Sequence, residues 1–437
     1  MTAAVDGALL PPGPSEPCDF DRLEDRLGCM RRLFEDWGDV VRVRSPQRGA
    51  DTWVISRPDL VKRILVSNHR NYTKGAGIER VRVLLGNGIM TSEGELWRRQ
   101  RRMIQPAFQR GAIEGFLRLM TDAALAAADQ WRAHAASGRS LNLSRQVSLS
   151  TLDVVLRALF GDDLERLCDA AGANPFELVS EDRARDLQFA VKFRALGSRV
   201  MELVERRRRE DRHPPDLLGL LMQARDRGDG RPMPDRLLVD EVLTLVVAGH
   251  ETTAAALTWT WYLLARHPQW LRRIRAEAQA LRPERGIGLD DLRPLAATGQ
   301  VIREALRLYP PGWLYTRRAV AADRLGEYGV PPGTDLFLCV WLLHRHPDYW
   351  DDPGAFRPER FADGGEAARQ RYAWIPFSAG PRHCVGEGFA LAEMSIQVAL
   401  LARDFDVELP PGEAEPGLEA DVNLRPDRDI HLRVRHA

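Results

Sequence analysis

A long apolar segment, residues 242–265, constrains the fold of this 437-residue chain more than any other stretch. His250 and Glu251 interrupt it near its middle. A membrane-spanning helix needs about 20 predominantly apolar residues, and a charge in mid-span costs several kcal/mol. We therefore predict a helix from about Asp240 to Arg266 that is buried in a protein core, and we expect no membrane anchor.

The rest of the chain is also mostly helical in pattern. Apolar residues recur at three- and four-residue spacing from Glu93 to about Leu220. Shorter helices are predicted at residues 270–281, 300–308 and 388–403. Residues 40–44 and 51–56 have the β-branched and aromatic side chains of two short paired strands. The predicted fold class is mainly α with a small β region, as one large domain over residues 21–437 after a Pro-rich leader at residues 1–20.

Composition excludes several classes of protein. Lys plus Arg and Asp plus Glu are both 62, so no basic field points to nucleic acid. The five cysteines are scattered without a CxxC pair, which disfavours a disulfide framework or a zinc cluster and fits a reducing compartment. The N-terminus has no signal-peptide pattern. We expect a cytoplasmic, monomeric protein, and its bias toward arginine and alanine is typical of bacteria with GC-rich genomes.

Familiar nucleotide and zinc signatures are incomplete. GAGIER at residues 75–80 and GNGIMT at residues 86–91 both lack the third glycine of GxGxxG. His250 and Glu251 begin an HExxH motif, but Ala254 occupies the place of its second histidine. The sequence therefore does not support dinucleotide binding or zinc-protease chemistry.

Residues 377–394 (FSAGPRHCVGEGFALAEM) contain a cysteine whose neighbours are typical of a functional site. Cys384 lies in a glycine-rich turn just before a predicted helix, where main-chain N–H groups can stabilise a thiolate. Arg382 supplies a cation that could pair with an anionic group beside the same sulfur. Because an isolated cysteine is most often a structural residue, its neighbours decide the interpretation.

Those neighbours complete the pattern FxxGxRxCxG, at Phe377, Gly380, Arg382, Cys384 and Gly386. Five fixed positions would occur by chance on the order of 0.0001 times in a chain of this length. With this pattern the chain resembles the haem-thiolate monooxygenases of the cytochrome P450 family, in their soluble bacterial form. The resemblance implies that Cys384 is the iron ligand of haem b and that Phe377 and Arg382 contact the cofactor.

Two more segments follow in the order found in that family. EALR contains Glu304 and Arg307, and PERF contains Arg360. Without the resemblance, Glu304 and Arg307 would be an ordinary i, i+3 pair on a helix surface. The resemblance implies instead that the three residues form an ion network that locks the core beside the haem.

Arginines and one tryptophan match the family's contacts to the haem propionates. Trp97 and Arg101 fit its WxxxR motif, in which an indole N–H and a guanidinium reach a carboxylate from one helix face. The resemblance places Arg317 at a second propionate contact and Arg382 at a third. Three neighbouring arginines form either a solvated face or part of a basic patch for an acidic electron donor: Arg98, Arg99 and Arg102.

AGHETT, in the long apolar helix, matches the family's oxygen-activation motif. Gly249 is expected to remove a side chain where the helix passes close to bound dioxygen. The Thr252 hydroxyl can bond back to a helix carbonyl or to water. Glu251 and Thr252 are the predicted catalytic residues, which relay the protons that cleavage of the O–O bond requires.

The predicted substrate pocket is apolar. The family places its lining one turn before the acid and after the Pro310-Pro311 break, and each such residue could equally be plain core. The residues at those positions are Val246, Val247, Ala248, Trp313 and Leu314.

The resemblance implies insertion of one atom of O2 into a C–H or C=C bond of a lipophilic molecule such as a terpenoid, carotenoid or fatty acid. The stretch after Cys384 is too short for a fused flavin reductase, so the expected electron source is a separate ferredoxin with its NAD(P)H-dependent reductase. Two alternatives are a peroxide-using or isomerising haem enzyme of the same fold, and a non-enzymatic haem sensor. Glu251 and Thr252 argue against both.

Overall fold

The structure, a computed structural model, describes residues 9–45, 50–168, 173–181, 187–362 and 370–437. The chain divides into two compact units. The first contains residues 1–78, 303–384 and 418–425, and the second contains residues 79–302, 385–417 and 426–437.

Helices dominate the described residues, which confirms the predicted fold class. The α-helices are α1 Arg26–Trp37, α2 Pro58–Lys62, α3 Ile78–Leu85, α4 Gly94–Ile104, α5 Arg110–Glu114, α6 Leu117–Ser137, α7 Leu143–Phe160, α8 Leu178–Glu181, α9 Leu187–Arg209, α10 Leu217–Gln223, α11 Asp235–Arg266, α12 Pro268–Ala278, α13 Leu289–Leu292, α14 Ala296–Leu308, α15 Val340–Leu343 and α16 Glu387–Asp404.

The strands are short. They are β1 Val40–Ser45, β2 Ala50–Ile55, β3 Tyr72–Lys74, β4 Leu141–Asn142, β5 Leu314–Ala319, β6 Asp323–Leu325, β7 Tyr328–Val330, β8 Asp335–Cys339, β9 Phe405–Glu408, β10 Leu418–Ala420, β11 Leu424–Pro426 and β12 His431–His436. Among the described residues they form a five-stranded sheet (β1-β2-β8-β5-β3), a three-stranded sheet (β4-β12-β9) and two pairs (β6-β7, β10-β11).

The first unit is organised around the five-stranded sheet. β1 and β2 form the antiparallel pair predicted from the sequence, with Val40 opposite Ile55. β2 is parallel to β8, and β8 is antiparallel to β5. The described part of the Pro-rich leader joins this β region, because the Arg42 N–H donates to the Pro12 carbonyl at 2.8 Å and the Cys18 N–H to the Arg44 carbonyl at 3.0 Å.

The second unit is organised around α11, whose 32 residues form its longest helix in the described ranges. From Leu238 to Leu264 nearly every residue is buried, as the apolar sequence predicts. α11 packs against α7, α9 and α16, and many of their side chains share one large apolar cluster. No helix in the described ranges is long and apolar enough to span a membrane.

The ends of the helices differ from the prediction by a few residues. α11 begins at Asp235 rather than near Asp240, because Pro234 is its extended N-cap residue instead of part of a turn. After Arg57 the chain is α-helical only to Lys62 and continues as a π-helical turn to Ser67.

Candidate active site

The cysteine loop of the first unit is closed by its own backbone. The Cys384 N–H donates to the Phe377 carbonyl at 2.9 Å. Gly380 has a φ of +70°, and a Cβ there would lie 2.0 Å from the Leu65 carbonyl oxygen. Only glycine fits such a close approach in that conformation. The sequence therefore folds into a tight turn that fixes the direction of Cys384.

Tyr315, on β5, stabilises the same loop through a hydrogen bond. Its hydroxyl donates to the Pro376 carbonyl at 2.9 Å, just before Phe377. Burial, and then the charge of the nearby Cys384, raise the pKa of the Tyr315 hydroxyl. The phenol therefore stays protonated and can act as a donor. The sequence alone does not reveal this supporting contact, since only the fold brings β5 to the loop.

Cys384 is the one exposed cysteine of the five. Cys339 is buried, and burial raises the pKa of its thiol to about 12. Cys18 and Cys29 lie 3.9 Å apart, sulfur to sulfur, and burial is the main cause that raises the pKa of Cys29 to about 12. An accessible sulfur in a fixed turn is what a metal-binding thiolate requires, so Cys384 fits that role best.

Glu304 and Arg307 form a fully buried ion pair in the first unit. Arg307 Nε and Nη2 donate to the two Glu304 carboxylate oxygens at 2.7 and 2.8 Å, and neither side chain is exposed. The guanidinium also donates to three backbone carbonyls, those of His344, Pro353 and Ala355. This pair therefore anchors the irregular segment after α15 to α14.

Arg360 approaches the same carboxylate less closely. Its Nε lies 3.5 Å from Glu304 Oε1, and its Nη2 donates to the Asp352 carbonyl. Burial is the main cause that lowers the pKa of Arg360. The structure thus brings the three residues of the predicted ion network together, with the Arg357 N–H as a further donor to Glu304 at 2.8 Å.

Two of the predicted propionate-binding arginines also lie in the first unit. Arg317 is on β5, is only 8% exposed, and donates from Nη1 to the Thr316 carbonyl at 2.8 Å. Arg382 ends the 3-10 turn before Cys384 and is half-buried. Two cations in the unit that presents the thiol suit a cofactor that combines a metal with carboxylates.

The second unit contains the AGHETT residues, in the middle of α11. Between Leu238 and Leu264, four residues are half-buried while the others are buried: Ala248, Gly249, Glu251 and Thr252. An acid and a hydroxyl are thus accessible in the middle of a helix that is otherwise buried.

Thr252 and Gly249 have specific contacts. The Thr252 hydroxyl donates to the Ala248 carbonyl at 2.8 Å, so its lone pairs remain available to accept a hydrogen bond. A Cβ on Gly249 would lie 3.1 Å from Val155 Cγ2 on α7. Close packing of α7 on α11 is thus a reason for this glycine that sequence reasoning did not foresee.

Trp97 and Arg101 are four residues apart on α4 of the second unit, so they lie on one face of that helix. Both are half-buried. The neighbouring arginines are not a free basic patch. Arg99 lies 3.1 Å from Asp229 and Arg102 lies 3.0 Å from Asp226, while Arg98 pairs with Glu95.

The predicted substrate residues are mainly buried. Val246 and Val247 belong to the apolar cluster of the second unit. In the first unit Trp313 is 3% exposed and its indole N–H donates to the Asp421 carbonyl at 2.9 Å, whereas Leu314 is half-buried. Of these positions, Ala248 and Leu314 present the most accessible surface.

Comparison with known proteins decides the family. The family model "Cytochrome P450" matches residues 20–190 and 173–432, which together make up most of the chain. The chain belongs to the cytochrome P450 family. It is accordingly a monooxygenase, an oxidoreductase whose family uses a haem-thiolate cofactor, O2 and redox partners.

Curated relatives of this cytochrome P450 include two bacterial enzymes. One is cyclooctat-9-en-7-ol 5-monooxygenase of Streptomyces melanosporofaciens, 33% identical, with 86% of this chain and 84% of that protein covered. Another is pentalenene oxygenase of Streptomyces avermitilis, 30% identical, with 91% and 90% covered.

A solved structure supports the fold. The crystal structure of the cytochrome P450DA heme domain is 24% identical to this chain, covers 98% of both chains and has a TM-score of 0.86. Together with the family match, this likeness confirms the predicted single P450 domain as a fold class.

Proposed function

We propose that this cytochrome P450 binds haem b through Cys384 and inserts one atom of O2 into a C–H or C=C bond of a lipophilic small molecule. The observation that carries the proposal is the group of four half-buried residues in the otherwise buried middle of α11. Ala248 and Gly249 leave room there, and Glu251 and Thr252 add the polar groups that oxygen chemistry needs.

The residues present fit a haem. Cys384 offers an exposed thiol in a tight turn, as an iron ligand must. Its fixed main chain limits the reorganisation that ligation would need. The four side chains proposed to hold the two propionates supply positive charge and an indole N–H donor: Trp97, Arg101, Arg317 and Arg382.

When bound, the haem supplies the activation of O2 and the transfer of an oxygen atom to carbon. The protein's own part is to deliver protons and exclude bulk water. Thr252 already donates to the Ala248 carbonyl, so its oxygen is oriented to accept a hydrogen bond on its other side. Glu251, adjacent and half-buried, is proposed to pass protons inward toward that hydroxyl.

The proposed substrate class is terpenoid, with carotenoids and fatty acids as further candidates. Both relatives compared above have names that specify oxygenation, one of an unsaturated alcohol and the other of pentalenene. The apolar residues around Val246 and Leu314 suit such molecules.

The proposed electron source is a separate ferredoxin and its NAD(P)H-dependent reductase. Asp226 and Asp229 already pair with Arg99 and Arg102, so these two arginines offer a donor less net positive charge than their number indicates. Docking through this face should accordingly be weak and sensitive to salt.

The test is turnover of cyclic terpene alkenes and alkenols with ferredoxin, reductase, NAD(P)H and isotopically labelled O2. We expect a substrate-induced spin-state shift and a product heavier by one labelled oxygen atom. Turnover with peroxide alone, or a rearranged product of unchanged mass, would favour the alternative haem enzymes. No substrate-linked O2 consumption across the terpene, carotenoid and fatty-acid panels would favour a sensor.

A further inference from the structure

The loop of residues 86–92, between α3 and α4, lies unusually close to α11. We call these residues the α3–α4 loop. A Cβ on Gly86, whose φ is +63°, would lie 2.2 Å from the Asp240 carboxylate, and a Cβ on Gly88 would lie 2.0 Å from Thr244 Oγ1. Both glycines belong to GNGIMT, so their presence follows from close packing and not from nucleotide binding.

Hydrogen bonds connect this loop to α11 and to α4. The Asn87 N–H donates to Asp240 at 2.9 Å, and the Ile89 N–H donates to Glu241 Oε2 at 2.8 Å. On the other side, Gln100 Nε2 of α4 donates to the Asn87 carbonyl at 2.6 Å. Two consecutive carboxylates of α11 thus hold two alternate amides of the loop.

Two buried oxygens at this contact accept no hydrogen bond from any described residue: Glu241 Oε1 and Gln100 Oε1. Both side chains are fully buried. Two unpaired acceptors are costly when buried. Rotating the Gln100 amide by a half turn would not solve this, because its oxygen would then face the Asn87 carbonyl.

A proton on Glu241 Oε1 would give both of these oxygens a hydrogen-bonding role. The carboxyl O–H becomes a donor for Gln100 Oε1, while Oε2 keeps the bond from the Ile89 N–H. We propose that Glu241 is a positioning residue that carries this proton, and that its protonation fixes the α3–α4 loop on α11.

The charges around Glu241 agree with that assignment. Burial is the main cause that raises the pKa of Glu241 to about 8; the Ile89 amide lowers it, the Asp240 charge raises it, and the hydrogen bond with the Gln100 side chain lowers it by less than burial raises it. From α4 the facing side chain is the neutral Gln100, and from α3 the Arg82 guanidinium donates to the Thr91 carbonyl at the far end of the loop. Glu241 should therefore lose its proton only in mildly alkaline solution.

The consequence for binding rests on the proposed function. Ile89 and Met90 pack against the apolar cluster that contains Val246, a proposed substrate residue. A loosened loop would disorder these two side chains, so ionisation of Glu241 should weaken the binding of lipophilic substrates.

Hydrogen exchange of the Asn87 and Ile89 amides in the haem-loaded protein, from pH 6 to 10, tests the proposal without any substrate. After correction for intrinsic exchange, we expect protection to fall by up to about tenfold per pH unit as the pH rises from 6 to about 8, because the opened loop exposes Glu241 with its ordinary pKa, and to level off above pH 8, where both states are ionised. Glu241→Gln, whose amide can accept from Ile89 and donate to Gln100, should keep protection constant across the range. Glu241→Leu should lower it at every pH.

The control amide is Val41 in β1, which should show no such change. A flat profile at Ile89 from pH 6 to 8 in the unaltered protein would overturn the proposal, and so would the same pH-dependent loss in Glu241→Gln. Neither readout depends on what the haem does, so a failure here is distinguishable from a failure of the monooxygenase proposal.

Discussion

At the residue scale, the buried ion pair of Glu304 and Arg307 should contribute to the free energy of unfolding. Glu304→Gln would leave the Arg307 guanidinium buried without a counter-charge, which typically costs about 3–5 kcal/mol. Urea denaturation followed by circular dichroism measures this free energy of unfolding. As a control, Asp122→Asn breaks the exposed Arg118–Asp122 pair of α6, joined at 2.8 Å, and should cost no more than about 1 kcal/mol. Equal costs for the two variants would contradict the assigned role.

The Thr252 hydroxyl is expected to act on protons and not on the fold. Thr252→Ala should retain haem and substrate binding but divert reducing equivalents from NAD(P)H to hydrogen peroxide, because protons no longer arrive in an ordered way. Peroxide formed per NAD(P)H consumed is the measurement.

Thr258→Ala is the matched control for that experiment. The Thr258 hydroxyl makes the same bond to the carbonyl four residues earlier, also at 2.8 Å, but is buried elsewhere on α11. It should leave the peroxide yield unchanged. If Thr252→Ala couples as well as the unaltered enzyme, the proton-relay assignment is wrong.

At the scale of elements, the packing of α7 on α11 should be destabilised by a side chain at Gly249. Gly249→Ala would bring a Cβ to 3.1 Å from Val155 Cγ2, and overpacking of this kind costs about 1–3 kcal/mol. Val155→Ala in the same chain should relieve the clash, so the double variant should be more stable than the sum of the two single changes predicts. Strict additivity in thermal or urea unfolding would show that the two helices do not meet as described.

The elements also show what sequence can and cannot predict. Local sequence pattern was sufficient to predict α11, α14 and α16, because the residues that each helix buries lie close together in the sequence. The π-helical turn after Lys62 and the support of the cysteine loop by Tyr315 were not predictable in this way. They depend on which distant segments pack together, and no local pattern encodes that.

At the scale of the whole molecule, buried carboxyl groups should make stability depend on pH. Burial raises the pKa of Glu393, on α16, well above its ordinary value of 4.5, and neither carboxyl oxygen accepts a hydrogen bond from a described residue. A folded-state pKa that is raised means that the folded protein holds this proton more tightly than the unfolded chain does. The contribution to stability is therefore largest below pH 4.5 and falls as the pH rises through the raised value.

Glu393→Gln should accordingly stabilise the protein more at pH 8 than at pH 5, as measured by the free energy of unfolding at both values. The exposed Glu35 provides the comparison, because its replacement by Gln should change stability little at either pH. A variant at Glu393 that is equally destabilised at both pH values would contradict a neutral, buried carboxyl group.

The fold class could be predicted from the sequence, but the division of the chain into two compact units could not. Cys384 and four residues of its loop, together with Glu304, Arg307 and Arg360, were enough to identify the family from the sequence. The two compact units interleave along the chain, and the ion pairs of Arg99 and Arg102 join segments more than a hundred residues apart. Such pairings follow from the folded chain as a whole.

The central claim is that Cys384 is the thiolate ligand of a haem iron. The optical spectrum of the reduced protein with carbon monoxide tests it directly, since thiolate ligation would move the Soret band of the CO complex far to the red of that of a histidine or thiol complex. We expect that red-shifted band, its loss in Cys384→Ala, and its retention when Cys18, Cys29, Cys168 or Cys339 is replaced. A protein without haem, or with only the blue-side band, would contradict the claim.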